Sequence, residues 1–332
     1  MTNTDTRDAA ATIAQIKRLQ AVGCELVRVA VPDAAAAAEL GRIRRAITIP
    51  LVADIHFNHR LALAAVAEGV DGLRLNPGNI GSAARVREVV AACRERAVPI
   101  RIGVNGGSLD RELQERYGNT PQALVESALQ HVRLLEKEGF ELIKISLKSS
   151  DVRATLEAYR RLAEKVDYPF HIGITEAGTR LRGAVKSAVG IALLLNEGLG
   201  DTLRVSLTAD PEEEVFVAYE ILKSLGLRQR GIELISCPTC GRTEVQLIAL
   251  AEAVEKALAH IREPLKIAVM GCVVNGPGEA RHADFGIAGG RGVGLLFCRG
   301  EVLRKLPEEQ LVPALVAEVE NYLAGRRHDE PV

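Results

Sequence analysis

The sequence predicts an α/β fold, a TIM (β/α)8-type barrel followed by a small second α/β domain. Two observations carry the barrel. From Thr6 to about Gly231, short β-rich runs alternate with helical stretches, the pattern of a parallel sheet wrapped in helices. The apolar residues are also aliphatic: 47% of the chain is hydrophobic, yet only 3% is aromatic and there is no Trp. Strands buried on both faces read as such Val, Ile and Leu runs. In order, the strands are expected at Glu25–Val31, Leu51–Phe57, Gly72–Asn76, Pro99–Val104, Glu141–Leu147, Phe170–Thr175 and Thr202–Leu207. Helical spacing falls at Ala9–Val22, Asp33–Ala46, Ser82–Ala97, Pro121–Gly139, Asp151–Val166, Arg180–Gly198 and Glu212–Gly226. That is seven strands, one short of an eight-stranded barrel.

After Gly231 the rhythm changes. Ile232–Ser236 and Leu265–Met270 read as strands around a helix at Thr243–Ile261. Glycine-punctuated strands through Phe297 and a helix near Glu308–Leu323 complete a second module. The expected domains are therefore 1–230, binding substrate, and 231–332, carrying a metal group. The net charge of −1 provides no global basic field for nucleic acid. No apolar run reaches the ~18 residues that a membrane span requires. The expectation is a cytoplasmic protein with no nucleic-acid or membrane partner. Six cysteines are too few for a disulfide framework in a chain of 332 residues, so close cysteines read as metal or redox groups.

Five strands share the pattern apolar, basic, apolar, small: Val27-Arg28-Val29-Ala30, Leu73-Arg74-Leu75-Asn76, Ile100-Arg101-Ile102-Gly103, Ile143-Lys144-Ile145-Ser146 and Leu203-Arg204-Val205-Ser206. Two more place His56 and His171 instead. Side chains alternate between strand faces, so the apolar residues face the helices and the basic ones share the inner face. Cations cannot be buried together without counter-charge. Asp54 and Glu176 supply part of it, and a diphosphate fits the remainder and the fork geometry of Arg. A structural ion pair explains one such strand as well as a ligand does, but five strands favour a ligand. The small residues after the cations leave room for it. A Schiff-base aldolase acting through Lys144 is the rival reading of this cavity.

Cys237-Pro238-Thr239-Cys240 is a C-x₂-C motif, and Cys272 follows in Gly271-Cys272-Val273-Val274-Asn275-Gly276-Pro277-Gly278-Glu279. A structural zinc site closes with four Cys or His ligands, and no second C-x₂-C or H-x₃₋₅-H follows here. Three thiolates can hold three irons of a [4Fe–4S] cube, and Glu279 is a harder, more exchangeable donor for the fourth. His282 is a weaker rival for that place. Cys24, Cys93 and Cys298 read as small core hydrophobes. A zinc-bearing binding module remains the non-catalytic alternative.

These motifs, with Ala53-Asp54-Ile55-His56-Phe57 and Thr175-Glu176-Ala177-Gly178, resemble the 4-hydroxy-3-methylbut-2-enyl diphosphate synthases of the non-mevalonate (methylerythritol phosphate) isoprenoid route. The resemblance covers essentially the whole chain. It implies a TIM barrel joined to a cluster domain, with a [4Fe–4S] centre on Cys237, Cys240, Cys272 and Glu279. It implies reductive opening and dehydroxylation of 2-C-methyl-D-erythritol 2,4-cyclodiphosphate to (E)-4-hydroxy-3-methylbut-2-enyl diphosphate. Flavodoxin or ferredoxin would supply electrons, and the protein would act as a homodimer. On this basis Arg28, His56, Arg74, Arg101, Lys144 and Arg204 would grip the diphosphate, and Asp54, Asn76, Asn105 and Ser206 would complete the polar lining. Glu176 would deliver a proton to the departing hydroxyl, and Glu279 would yield its place to substrate. The resemblance also implies a strand ahead of a Ser-Met-Thr-Asn-Thr-Asp-Thr segment. That segment is met here at Met1–Thr6, so the first barrel strand is expected to be missing from this chain.

Overall fold

The computed structural model describes residues 1–109, 111–272, 278 and 281–329. The chain divides into two compact units, Met1–Leu227 and Arg228–Val332.

In the first unit the strands are β1 (Val27–Ala30), β2 (Leu51–Asp54), β3 (Gly72–Arg74), β4 (Ile100–Asn105), β5 (Ile143–Lys148), β6 (His171–Ile172) and β7 (Thr202–Leu203). Each lies inside its predicted run or passes its end by one residue, but β2, β6 and β7 stop three or four residues short of the run's end. β1 to β5 form one sheet in chain order, and every neighbouring pair is parallel. A bridge from Ile145 to Phe170 leads on to β6, which pairs in parallel with β7. Strands that neighbour in chain order and all run parallel form the wall of a singly wound barrel rather than a doubly wound sheet.

The helices between them are α1 (Ala9–Ala21), α2 (Ala34–Arg45), α3 (His59–Ala67), α4 (Ala83–Glu95), α5 (Arg111–Tyr117), α6 (Pro121–Glu136), α7 (Val152–Ala163), α8 (Arg180–Asn196) and α9 (Pro211–Ser224). Their starts are written in the sequence. The Asp33 carboxylate accepts from the Ala36 amide at 2.9 Å, Asp151 accepts from Ala154 at 3.0 Å, and Thr120-Pro121 opens α6. α3 and α5 were not anticipated. Both are short, and α3 is nearly all Ala, Leu and Val, so helical periodicity has little contrast to show. α9 returns to α1, where Arg18 donates to Glu212 at 2.9 Å and the Tyr219 hydroxyl donates to the Gly23 carbonyl at 3.0 Å. Val27, Val29, Leu51, Ala53, Leu73, Ile100, Ile102 and Ile145 are fully buried within one core cluster. The alternation therefore points the intervening residues of these strands to the other face.

The second unit is a five-stranded mixed sheet. β8 (Ile232–Ser236), β9 (Leu265–Met270) and β10 (Phe285–Ala288) run parallel, while β11 (Val293–Cys298) and β12 (Glu301–Pro307) join antiparallel. α10 (Leu247–Leu258) and α11 (Glu308–Asp329) share one core with the sheet. Leu247, Leu250, Val254 and Leu258 meet Leu311, Leu315, Val319 and Leu323 there, the three-and-four spacing of an apolar helix stripe. A smaller cluster of Ala268, Met270, Ala288 and Phe297 includes the Cys237 side chain among its neighbours. No helix among the described residues is long and apolar enough to cross a membrane.

Candidate active site

The strand register ranks the basic residues side by side. Asp54 on β2 is level with Arg74 on β3, Arg74 with Arg101 on β4, and Arg101 with Lys144 on β5. One step further, Gly103 is level with Ser146, and then Asn105 with Lys148. Asp54 is the buried hub. Arg74 Nη1 reaches its Oδ1 at 3.3 Å, Arg28 Nε its Oδ2 at 3.5 Å, and His56 Nε2 lies 3.7 Å from Oδ1. His56 itself stands beyond the end of β2 and is exposed.

Arg101 is different. Among the described residues no carboxylate lies within salt-bridge distance of it, and its one hydrogen bond runs from Nη1 to Ser146 Oγ at 3.1 Å. Burial, with Arg28 and Arg74 nearby, lowers its pKa to about 9. Burial likewise lowers Arg28 to about 10, with Asp54 opposing the shift. Lys144 is lowered by burial and then by Arg101. A lowered lysine is what Schiff-base chemistry needs, but here burial is the larger cause and Arg101 the second, and a bound anion would offset the latter.

Lys148, at the end of β5, was not singled out from the sequence. It is buried, has no hydrogen-bond or ion-pair partner among the described residues, and is lowered well below the usual lysine range by burial and then by Arg101. The signal was present: Lys144, Ser146 and Lys148 continue the same alternation, and the expected strand stopped one residue short. Burying a cation with no partner is costly, which makes Lys148 a candidate ligand contact.

Three expectations change. Arg204 is held by Glu214 of α9 through Nε–Oε2 at 3.1 Å and Nη2–Oε1 at 3.0 Å, so on this strand the cation has a structural partner. The second buried carboxylate is thus Glu214 and not Glu176, which is exposed. The run Glu212-Glu213-Glu214 did not reveal which carboxylate turns inward. Burial, then Lys148 and Arg101, press the His171 pKa well below the usual histidine range. Finally, the small residues do not simply leave space. A Cβ on Gly103 would collide with the Arg74 guanidinium, whose Nη2 donates to the Gly103 carbonyl at 2.7 Å. Ser146 Oγ, besides accepting from Arg101, donates to the Ile102 carbonyl at 3.3 Å.

Asn76 lies just past β3 and extends its pairing by side chain. Its Nδ2 donates to the Gly103 carbonyl at 3.0 Å and its Oδ1 accepts from the Gly103 amide at 2.8 Å. Asn76→Ala is expected to destabilise the fold by about 1–3 kcal/mol, the cost of leaving buried polar groups unsatisfied, read as a lower urea midpoint. Asn105 and Ser206 are half-buried. Glu176 sits in the loop after β6 with a left-handed backbone, φ 51°. Such a conformation in a non-glycine residue costs on the order of 1–3 kcal/mol and clusters at functional sites.

The His171 shift sets a pH dependence. Its folded pKa is depressed, so the unfolded chain binds more protons as pH falls below about 6.5. Stability contributed above that pH is therefore lost progressively on acidification. His171 Nδ1 pairs with Thr202 Oγ1 at 2.9 Å, so His171→Gln keeps a polar group there and is expected to flatten the loss. Thermal melts between pH 7.5 and 5 check this.

In the second unit Cys237 directly follows β8 and Cys272 follows β9 by one residue, and these strands are parallel neighbours with Ser236 level with Val269. Both thiols therefore leave the same edge of the sheet. The Gly271 amide donates to Cys237 Sγ at 3.2 Å. The Glu244 amide donates to the Gly271 carbonyl at 2.9 Å, and the Cys240 amide donates to Thr243 Oγ1 at 3.1 Å. These bonds staple the C-x₂-C turn to the Cys272 loop. All three cysteines are unpaired thiols; Cys240 is exposed and the other two half-buried. Among the described residues no three His, Cys, Asp or Glu side chains converge on one ion. Three thiols at one end of neighbouring parallel strands are a donor set of the kind that iron–sulfur clusters use. Glu279 lies outside the described residues. His282 is exposed. Cys93 is buried and its thiol is pushed up to about 12 by burial, as a core residue would be, while Cys24 and Cys298 are half-buried.

Comparison with known proteins places both units. Residues 1–219 match the GcpE TIM-barrel domain and residues 233–321 the GcpE protein C-terminal domain. The chain is 64% identical over 327 residues to the 4-hydroxy-3-methylbut-2-en-1-yl diphosphate synthase (flavodoxin) of Geobacter sulfurreducens, covering 98% of this chain and 93% of that one. It is 63% identical to the protein of the same name from Maridesulfovibrio salexigens, with 98% and 92% covered. For that of Thermodesulfovibrio yellowstonii the figures are 58% identity, 96% and 92%. With both domain families matched in order and relatives this similar over nearly their whole length, the chain belongs to the GcpE family.

Proposed function

We infer that this chain is an oxidoreductase of the methylerythritol phosphate pathway. It converts 2-C-methyl-D-erythritol 2,4-cyclodiphosphate to (E)-4-hydroxy-3-methylbut-2-enyl diphosphate, with flavodoxin as electron donor. The observation that carries this reading is the uncompensated charge in the first unit. Arg28, Arg74, Arg101, Lys144, Lys148 and Arg204 share one face, against Asp54 and Glu214 as buried carboxylates among the described residues. A diphosphate supplies the missing negative charge, and its oxygens accept from several guanidinium and ammonium groups at once.

In the reaction two electrons and two protons enter. The ring C–O bond to the diphosphate and one C–OH bond break, a carbon–carbon double bond forms, and the hydroxyl leaves as water. We assign the grip on the diphosphate to Arg28, His56, Arg74, Arg101, Lys144, Lys148 and Arg204. As the ring opens, charge grows on the departing phosphate oxygen, and cations already fixed in place stabilise it without reorganising. Asp54 holds Arg28 and Arg74 in position through its two oxygens. Asn105 and Ser206 line the pocket, and Asn76 fixes the end of β3. Glu176 is assigned proton delivery to the departing hydroxyl, its exposed carboxyl being able to reload from water. A [4Fe–4S] group on Cys237, Cys240, Cys272 and Glu279 would supply the electrons and a Lewis-acidic iron. The Gly271 amide would then soften the charge on the Cys237 sulfur. The protein is assigned to the cytoplasm, where its thiols stay reduced, and to a homodimeric state.

The test is anaerobic reconstitution with iron and sulfide, followed by assay of the cyclic diphosphate with a low-potential reductant. Formation of the linear allylic diphosphate, with iron and inorganic sulfide in equal amounts, supports the reading. Protein that takes up zinc, no sulfide, and leaves the substrate intact refutes it.

A further inference from the structure

Tyr159 occupies a position where the packing asks only for an apolar ring. It lies on the buried face of α7 with Leu156, Ala158 and Leu162, is itself fully buried, and meets the Phe170 ring edge-on at 5.4 Å. A phenylalanine would fill the same space, so the hydroxyl is the part that needs a reason. Its two partners are backbone groups of the barrel wall. It accepts from the Leu147 amide of β5 at 3.0 Å and donates to the His171 carbonyl of β6 at 2.7 Å. Burial raises the phenol above its usual range, so it stays protonated and can fill both roles.

Those two groups are partners by register. Ile145 bridges Phe170 in parallel, and the Ile145 amide donates to the Pro169 carbonyl at 2.9 Å. Rungs of a parallel ladder recur at every second residue, so the next would run from the Leu147 amide to the His171 carbonyl. The Tyr159 hydroxyl stands in that rung. Beyond it the same register returns, with the Thr175 amide donating to the Ser149 carbonyl at 3.3 Å. The register does not slip; one rung is lengthened, because two hydrogen bonds in series span more than the ~2.9 Å of one. The residues hung from this rung belong to the cation cavity. Lys148 directly follows Leu147, and after burial it is the largest cause of the low His171 pKa. A Cβ on Gly173, two residues after His171, would collide with the Arg204 carbonyl and come within 3.1 Å of Lys148 Nζ. The ammonium therefore lies against that glycine.

We propose that Tyr159 is a positioning residue for substrate binding: its hydroxyl sets the spacing of β5 and β6 at Leu147 and His171, and so fixes where the Lys148 ammonium meets the diphosphate. This rests on the assignment of Lys148 to the diphosphate grip. Tyr159 sits in the helix layer, so its effect on binding passes through Lys148, and a double-mutant cycle reads that dependence.

Affinity for the cyclic diphosphate, measured by calorimetric titration of the anaerobic full-length chain, is compared in wild type, Tyr159→Phe, Lys148→Met and the double variant. Lys148→Met is expected to weaken binding about 30-fold, within the range for a lost hydrogen bond to a charged group. Tyr159→Phe is expected to weaken it about tenfold alone and less than about twofold in the Lys148→Met background. A merely structural tyrosine would lower the thermal midpoint and cost the same affinity in both backgrounds. Equal losses in the two backgrounds, or no loss in Tyr159→Phe, overturn the inference and leave the Lys148 grip standing. Undiminished affinity in Lys148→Met, or no binding to wild type, overturns that grip and the inference with it. Should Tyr159→Phe lose its folded circular dichroism, Phe170→Leu takes its place in the cycle, since it frees the ring and keeps the hydroxyl. The same results then support or overturn the inference.

Discussion

Replacing Arg101 by methionine is expected to lower kcat/KM for the cyclic diphosphate about 10³-fold, on the order of 4 kcal/mol of transition-state stabilisation. The size follows from its position. Arg101 is half-buried between Arg74 and Lys144 in the strand register, has Ser146 as its one side-chain hydrogen-bond partner, and lacks a carboxylate among the described residues. A diphosphate oxygen that loses this partner in a low-dielectric site has no water to replace it. The same substitution is expected to raise the thermal midpoint of the ligand-free protein, because methionine removes a half-buried charge that the fold leaves uncompensated. The two signs together separate the roles. A purely structural arginine would lower stability and activity alike, whereas a ligand-binding one trades stability for binding. Differential scanning fluorimetry beside steady-state kinetics reads both.

Glu176→Gln is expected to lower kcat about 10²–10⁴-fold, the span of general acid catalysis, with KM and cluster content little changed. Gln preserves the size of the side chain and tolerates the left-handed backbone, φ 51°, no worse than Glu. The carboxyl is exposed and has no part in the buried network around Asp54, so its removal leaves the cation ring in place. Iron and sulfide analysis of the variant, with single-turnover kinetics, separates proton delivery from cluster loss. Unchanged single-turnover rates would remove Glu176 from the mechanism.

The strands were legible because the alternation that marks them is the same alternation that sorts core from cavity. Arg28, Arg74 and Arg101 announce a charged inner face only because Val, Ile and Leu flank each of them. The three cysteines were equally plain, since the motif ends at the edges of β8 and β9. What could not be read was pairing at a distance. Nothing in Glu212-Glu213-Glu214 says that the third carboxylate turns inward to Arg204, and nothing local to Glu176 says that it stays in solvent. The small residues misled for a related reason, since glycine at 103 is compatible with an open cavity or with a neighbouring guanidinium, and only the three-dimensional register chooses Arg74. Lys148 was lost to a strand boundary placed one residue early.

The claim on which the rest depends is that the buried cations of the barrel are completed by a diphosphate. Calorimetric titration of the cyclic diphosphate into the anaerobic full-length chain at two ionic strengths tests it most directly. Saturable one-to-one binding that weakens with salt, is much reduced in Arg101→Met and is not reproduced by unphosphorylated methylerythritol is the predicted result. Equal affinity for the phosphorylated and unphosphorylated compounds, or binding indifferent to Arg101, would contradict it.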